Sequence, residues 1–355
     1  MENEFLAVEF DSLTGGVTKL VDKSTGKDLA DAANPLGVLE LMQERGRGMS
    51  AWIIGQIQSR LYPLEVKSLE RGASGPYVCS LVAKVKVGSS EVTVTYSLNA
   101  GQKWLEIQVD ATWVERGTRE AGTPNLRMRF PVAVVNPCGQ YEVPFGAVVR
   151  SLNHGEEVPA LRWADVSSQA NGSSARAGLV LLNDCKYGHS LEGSILRLTL
   201  IRSSHDPDPL PEIGEHSIRM AVMPHGSTLA TDELIRLGAA FNLPLAVIST
   251  DVHKGQLPAV SSAVAAVEPT SVVLSSIRKA QDDDALIVHL YETAGNAVEA
   301  QVKLNAKLLG RAGEAAEVDL LERPQDTSTA RITKKGFAVA LPAYGIAAVK
   351  VTLVK

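Results

Sequence analysis

Cysteine and blocks of like charge are scarce in this 355-residue chain, and each scarcity removes a class of protein. The three cysteines, Cys79, Cys138 and Cys185, are odd in number and far apart. They build neither a disulfide framework nor a metal knuckle, and reduced thiols in a cytoplasmic protein are the simplest reading. Lysine and arginine are scattered among acids and the formal net charge is -5, which leaves no electrostatic footprint for nucleic acid. No apolar run approaches the roughly 18 residues that cross a bilayer, and the first ten residues lack the basic-then-apolar pattern of a secretion signal. Asn171-Gly172-Ser173 matches a glycosylation acceptor, but without such a signal it reads only as a surface loop. Phosphate-cradling loops, the GxGxxG turn, HExxH and the GxSxG elbow are all missing, and nothing repeats at 20 to 50 residues.

What the chain does contain is strand. Hydrophobic residues make up 45% and charged residues 21%, a globular balance, and the length calls for two domains. Residues 5–10 alternate, the turn-rich stretch 11–16 follows, and 17–21 completes a hairpin. Short strands are then expected at 38–42, 64–69, 77–87, 91–98, 104–113, 126–134 and 140–143, separated by Gly, Pro, Asn and Ser clusters. Three further apolar runs, 179–182, 195–201 and 218–223, belong to the same pattern. The one clear helical stretch is 231–240, with Thr231 expected as N-cap and Asp232 and Glu233 in the first turn. A small-residue linker near 257–266 leads to six more strands, at 272–276, 285–291, 298–303, 316–321, 336–341 and 346–354. The expected fold is all-β: a large sandwich over 1–228, a connector with the short helix over 229–263, and a smaller β-sandwich over 264–355.

Polar chemistry concentrates in residues 178–225, where Asp184, Lys186, Tyr187, Arg202, His205 and Asp208 stand in segments between apolar runs. The His205-Asp206-Pro207-Asp208-Pro209 stretch holds potential metal donors, but two prolines keep it extended, and turn residues facing water are the preferred reading. His154, His189, His216 and His225 lie beside turn residues. Of the four tryptophans, Trp104 and Trp113 fall inside strand patterns and are expected in the core. Trp52 and Trp163 fall in loop contexts and are candidates to stack on the apolar face of a sugar ring.

A resemblance now enters. The runs Leu182-Asn183-Asp184-Cys185-Lys186-Tyr187-Gly188, Gly193-Ser194-Ile195-Leu196 and Leu200-Ile201-Arg202-Ser203 resemble the C-terminal β region of class II α-mannosidases, glycoside hydrolase family 38. Pro207-Asp208, Gly214-Glu215-His216 and Met223-Pro224-His225 extend the likeness. It is closest to the cytosolic branch of the family. Residues 4–19, Tyr141-Glu142-Val143-Pro144-Phe145-Gly146, Arg162-Trp163-Ala164-Asp165 and Leu341-Pro342-Ala343-Tyr344-Gly345 carry it across nearly the whole chain. The resemblance implies a galactose-mutarotase-like supersandwich followed by the smaller sandwich. It also implies a parent enzyme, cytoplasmic, that removes terminal α-D-mannose with retention of configuration. In the family the zinc ligands and the aspartate nucleophile belong to an N-terminal catalytic domain, followed by a helical domain, and no counterpart to either precedes Met1.

On this reading the chain is non-catalytic, with no catalytic residue, metal ligand or cofactor of its own, and zinc or cobalt is expected in the parent's catalytic domain. Its expected partners are those N-terminal domains and mannosides, and self-association is compatible with it. The residues expected to face carbohydrate are Trp52, Trp163, Asp184, Lys186, Tyr187, Arg202, His205 and Asp208. One departure stands out: cytosolic-type members tend to carry Ala-Trp-Asp where this chain has Ala51-Trp52-Ile53; if that Asp touches substrate in relatives, this chain has lost the contact and a different preferred mannoside is expected. Two other readings are a stand-alone mannoside-binding module and a mutarotase-like epimerase using His189 or His205 with Asp208.

Overall fold

The computed structural model describes every residue except 47, 151–154, 169–175, 256–257 and 355. His154 and the Asn171-Gly172-Ser173 pattern therefore lie outside the described residues. The chain forms two compact units, and strands dominate both. No helix among the described residues is long and apolar enough to cross a membrane.

The larger unit comprises Met1–Val143, Val148–Leu229 and Leu237–Leu243. Its opening hairpin pairs Leu6–Phe10 with Val17–Asp22, as the alternation of 5–10 and 17–21 predicts, and Lys27–Asp28 adds a third short strand. The nine-stranded sheet runs in the order Gly146–Arg150, Pro137–Val143, Trp163–Ser168, Gly178–Asn183, Gly214–His225, Leu105–Trp113, Ser90–Asn99, Val78–Val87, Glu65–Ser74. Period-two patterning is clean in its middle: Leu105, Ile107, Val109, Ala111 and Trp113 are buried, while Glu106, Gln108, Asp110 and Thr112 between them are not. Trp113, fully buried, donates its indole N–H to the Ser203 hydroxyl at 2.7 Å, and the Tyr96 hydroxyl donates to the Gly37 carbonyl at 2.7 Å.

The six-stranded sheet runs Val158–Pro159, Gly188–Glu192, Ile195–Arg202, Thr123–Pro131, Val38–Glu44, Ile57–Leu61. Its central strand, Thr123–Pro131, is buried at every position, yet only one face of it is apolar. Leu126, Met128 and Phe130 join the hydrophobic core with Leu39, Leu196, Leu198 and Leu200. Asn125, Arg127 and Arg129 alternate with them onto the opposite face, where Arg127 stands between Glu40 and Thr199, and Arg129 between Val38 and Arg197. The expected strand at 126–134 thus begins and ends three residues earlier, because Val132 and Ala133 leave the sheet to bond Ser194 and Leu29.

Where this strand begins, Gly122 has φ +90, and a Cβ there would lie 1.9 Å from the Glu44 carbonyl oxygen. Gly122→Ala should cost about 2 kcal/mol or more, through backbone strain and displacement of the Val38–Glu44 strand, read as a lower urea midpoint. An unchanged midpoint would contradict the close approach.

The smaller unit comprises Pro144–Ala147, Ala230–Arg236 and Pro244–Lys355. Its two four-stranded sheets run Val264–Glu268, Val298–Leu304, Gly336–Leu341, Arg331–Thr333 and Val272–Lys279, Leu286–Glu292, Ile346–Val354, Arg311–Val318. Val288, Leu290, Val302, Phe337, Val339 and Val349 form its core. Two strands beyond the expected six, Val264–Glu268 and Arg331–Thr333, are short and poor in large apolar residues. The stretch expected at 316–321 pairs instead as Arg311–Val318, where Ala312 and Ala315 pack against the core. The helix, Thr231–Asn242, includes Thr231 in its first turn instead of ending on it as a cap. Leu234 N–H reaches the Ala230 carbonyl, and the Glu233 carboxylate accepts the Ala230 N–H at 2.7 Å, half of a capping box.

Candidate binding surface at one end of the large sandwich

The strand registers gather several loops of the larger unit at one end. Glu44 pairs with Thr123, Asn125 with Arg202 and Trp113 with Gly214, so the segments 45–56, 114–122 and 203–213 all leave the sheets there. Two of them are locked together. The Arg202 guanidinium grips the Glu44 carboxylate with two bonds of 2.9 and 2.8 Å, and donates to the carbonyls of Ser50 at 2.7 Å and Ile53 at 3.1 Å. The Ser50 hydroxyl accepts the main-chain N–H groups of His205 and Asp206 at 2.8 and 3.0 Å. In return Asp206 accepts the Ala51 N–H on its carbonyl and the Met49 N–H on its carboxylate. Met49, at φ +58, closes the turn by accepting from Trp52 and Ile53. Trp52 stands at the tip of this braced loop, 73% exposed, with Met49 and Ile54 also open to solvent.

Glu44 is the anchor of the arrangement. Fully buried, it accepts from Arg202, from the Asn125 amide at 2.8 Å and from the Gly55 N–H at 2.9 Å. Burial by itself would raise its pKa, but the hydrogen bonds and charge of Arg202, with Asn125 and Gly55, hold it below the usual carboxylate value. From Asn125 the polar chain continues across the sheet. Arg127 bonds the Asn125 carbonyl oxygen at 3.2 Å, the Ser190 hydroxyl at 3.3 Å and Glu157, which also accepts from Thr199. Beside it Arg197 binds Glu40 at 2.8 Å and Glu192 at 3.0 Å, and Arg60 reaches Glu192 at 2.8 Å. Each charge taken out of water therefore has a partner of opposite sign or a hydrogen-bonding amide.

Of the residues expected to face carbohydrate, the structure brings Trp52, Arg202 and His205 together through these shared anchors. Both ring nitrogens of His205 are enclosed and have no hydrogen-bond partner among the described residues. Asp208 is a turn residue, accepting the Leu210 N–H at 3.1 Å, and the Asp206 carboxylate accepts the Met49 N–H at 3.2 Å. Asp184, Lys186 and Tyr187 form a separate turn after the Gly178–Asn183 strand. There Asp184 accepts the Arg219 N–H at 3.2 Å, Lys186 donates its N–H to the Asn183 side chain at 2.8 Å, and Tyr187 is open to solvent.

Trp163 has no exposed face: it opens a buried strand, opposite Leu182, and packs against Gly238, so its indole offers no platform to a sugar ring. His189 is likewise sealed, edge-on to Tyr141, and burial drives its pKa down to about 4, which disqualifies it as an epimerase base exchanging protons with a bound sugar. His225 is a buried structural histidine. Burial opposes its charge, but Asp165 at 2.8 Å and the carbonyls of Ser227 and Arg176 outweigh it and raise its pKa.

Glu44, Asn125, Arg127, Glu157 and Arg197 were not among the expected site residues. One signal for them existed, the charge alternation within Asn125-Leu126-Arg127-Met128-Arg129. No three His, Cys, Asp or Glu side chains converge among the described residues. The described residues thus offer no matching donor set for the zinc or cobalt that the resemblance implies for a parent enzyme.

Residues 1–210 match the family model "Glycosyl hydrolases family 38 C-terminal domain", and residues 271–353 match "Glycosyl hydrolases family 38 C-terminal beta sandwich domain". Alpha-mannosidase 2C1 of Homo sapiens is 26% identical over 343 residues, covering 91% of this chain and 31% of that protein. An alpha-mannosidase of Saccharomyces cerevisiae is 26% identical over 333 residues, covering 83% of this chain and 29% of its own length. The chain thus spans about a third of the curated relatives it matches. A solved structure of a glycosyl hydrolase family 38 protein from Enterococcus faecalis superposes with a TM-score of 0.77 at 14% identity, over 99% of this chain and 44% of that one. At that identity the likeness is one of fold.

Proposed function

We propose, from the premise that this chain belongs to glycosyl hydrolase family 38 and carries its C-terminal domain and C-terminal β sandwich, that it is the non-catalytic C-terminal portion of an α-mannosidase. Its role is to complete and brace the cleft in which terminal α-D-mannose is released from oligosaccharides or mannosides. The braced Trp52 loop carries this reading: a large ring held out into solvent on a base fixed by Arg202, Glu44, Ser50 and Asp206 is preorganised to meet something. Arg202 and His205 sit beneath that loop, Asp208 follows in the adjoining turn, and we assign Asp184, Lys186 and Tyr187, in their separate turn, a carbohydrate-facing role as well.

Retaining hydrolysis needs one carboxylate to attack the anomeric carbon and a second to protonate the leaving oxygen. We assign both, and the metal, to N-terminal domains of the parent. The three unpaired thiols suit the reducing cytoplasm. Accordingly, this chain alone should release no p-nitrophenol from p-nitrophenyl α-mannoside, with zinc or cobalt added. The parent polypeptide that includes it should do so, and Trp52→Ala in the parent should lower kcat/KM by about tenfold or more. Metal-stimulated turnover by this chain alone would overturn the assignment.

A further inference from the structure

The end of the six-stranded sheet opposite Trp52 also carries a concave surface. Val38 pairs with Arg129 and Pro131 with Ile195, so the start of one strand and the turn at Ser194 meet there, about 20 Å of strand away from Glu44. Two adjoining hollows, about 580 and 480 Å³, share Thr18 in their walls and together make one groove. Its lining combines an aromatic ring, Tyr62, with hydroxyls of Thr18 and Ser194, the amide of Asn34 and the carboxylates of Asp11 and Asp31.

Several of these groups are oriented but not used up. Asp31 accepts the Ala33 N–H on one oxygen at 2.9 Å, and its other oxygen has no partner among the described residues. Asn34 accepts from Arg129 on its carbonyl oxygen at 2.8 Å, while its two amide protons have no partner among the described residues. The side-chain hydroxyls of Thr18, Ser194 and Tyr62 likewise have no hydrogen-bond partner among the described residues. Beneath them Arg129, only 6% exposed, lies 4.1 Å from the Tyr62 ring centroid, and its Nε is buried without a partner. Its charge is met by Asn34 and the ring, not by a carboxylate.

We propose that this groove is a second carbohydrate site, taking a short neutral oligosaccharide that stacks one pyranose on Tyr62 and shares its hydroxyls with Thr18, Asn34 and Asp31. A sugar needs donors and acceptors beside an apolar face, and all three are present. A cationic peptide would need acceptors alone, and the buried Arg129 charge under the floor works against it. The ligand class rests on the carbohydrate role proposed above, but the site does not touch the Trp52 end and holds substrate without reacting with it.

The test is calorimetric titration of this chain with α1,3/α1,6-mannotriose, and with tetralysine as a second probe. Mannotriose should bind with Kd of about 1 mM, weakened about tenfold in Tyr62→Ala and about threefold in Thr18→Val, and retained in Tyr62→Phe. Thr18→Val preserves shape, so it decides the matter if Tyr62→Ala fails to fold. No heat with mannotriose at tens of millimolar, equal binding by both weakening variants, or binding of tetralysine alone would each overturn the groove. The two proposals separate cleanly. A parent that hydrolyses mannosides while these variants bind unchanged loses only the groove, and a Tyr62-dependent binder whose parent cleaves no mannoside loses only the catalytic assignment.

Discussion

Glu44→Ala should lower the unfolding free energy of the larger unit by about 3–5 kcal/mol, the range for removing one partner of a buried, hydrogen-bonded charge pair. Four bonds end on this carboxylate, two from Arg202 and one each from Asn125 and Gly55. Its deletion strands a largely buried guanidinium and an amide with nothing to replace water. Glu44→Gln should cost less, since it keeps the shape and some of the bonds while losing the charge. The sign with pH follows from the depressed pKa of Glu44. Its contribution is fully present above the unfolded carboxylate value near 4.5 and fades as pH falls through the folded one. Urea melts of the three proteins at neutral pH decide the point, and equal midpoints for wild type and Glu44→Ala would refute it. The same substitution frees the 45–56 loop, so limited proteolysis should cut there first in the variant.

Acid should weaken the fold through His189. Its folded pKa of about 4 lies below the ordinary 6.5, so between those values the unfolded chain takes up a proton that the folded chain refuses. Stability therefore falls as pH drops from 6.5 towards 4, by as much as about 3 kcal/mol for this group alone. His225 works in the other direction. With its pKa raised by Asp165 and two carbonyls against the pull of burial, its contribution is fully present below 6.5 and is lost as pH rises through its folded value. In His189→Leu the loss of stability between pH 6.5 and 4.5 should shrink, while His225→Gln should flatten the alkaline side of the profile. An acid limb unchanged in His189→Leu would mean that other groups set it.

Much of the framework was legible because strand alternation is a local property. The hairpin at Leu6–Phe10 and Val17–Asp22 and the inward row of Leu105–Trp113 follow directly from period-two patterning and turn residues. Strands of two or three residues, such as Val158–Pro159 or Arg331–Thr333, carry too little pattern to stand out from loop. The candidate surface was legible only in part. Trp52 sits in a loop by its Gly-Met-Ser-Ala surroundings, and the structure leaves it exposed. Trp163 has similar flanks but starts a strand whose burial depends on the Gly178–Asn183 strand and on Gly238, contacts no local pattern encodes. Arg202 was visible as a polar strand end, but its partner Glu44 lies 158 residues earlier, and only the paired sheet brings them together.

The two-faced central strand Thr123–Pro131 bears on how the larger unit folds. The residues its charged face needs come from 38–44, from Glu157 and from 195–202, so no contiguous piece of chain can satisfy it. A half-formed sheet would hold Arg127 and Arg197 away from water with their carboxylates still absent, a costly state. Such a sheet is therefore sparsely populated, and pairings this distant in sequence make its closure slow and all-or-none. It also fixes alignment: sliding the strand by one position would drive three polar side chains into the leucine layer and turn Leu126, Met128 and Phe130 toward glutamates. The ion ladder thus acts as a proofreading device for strand register.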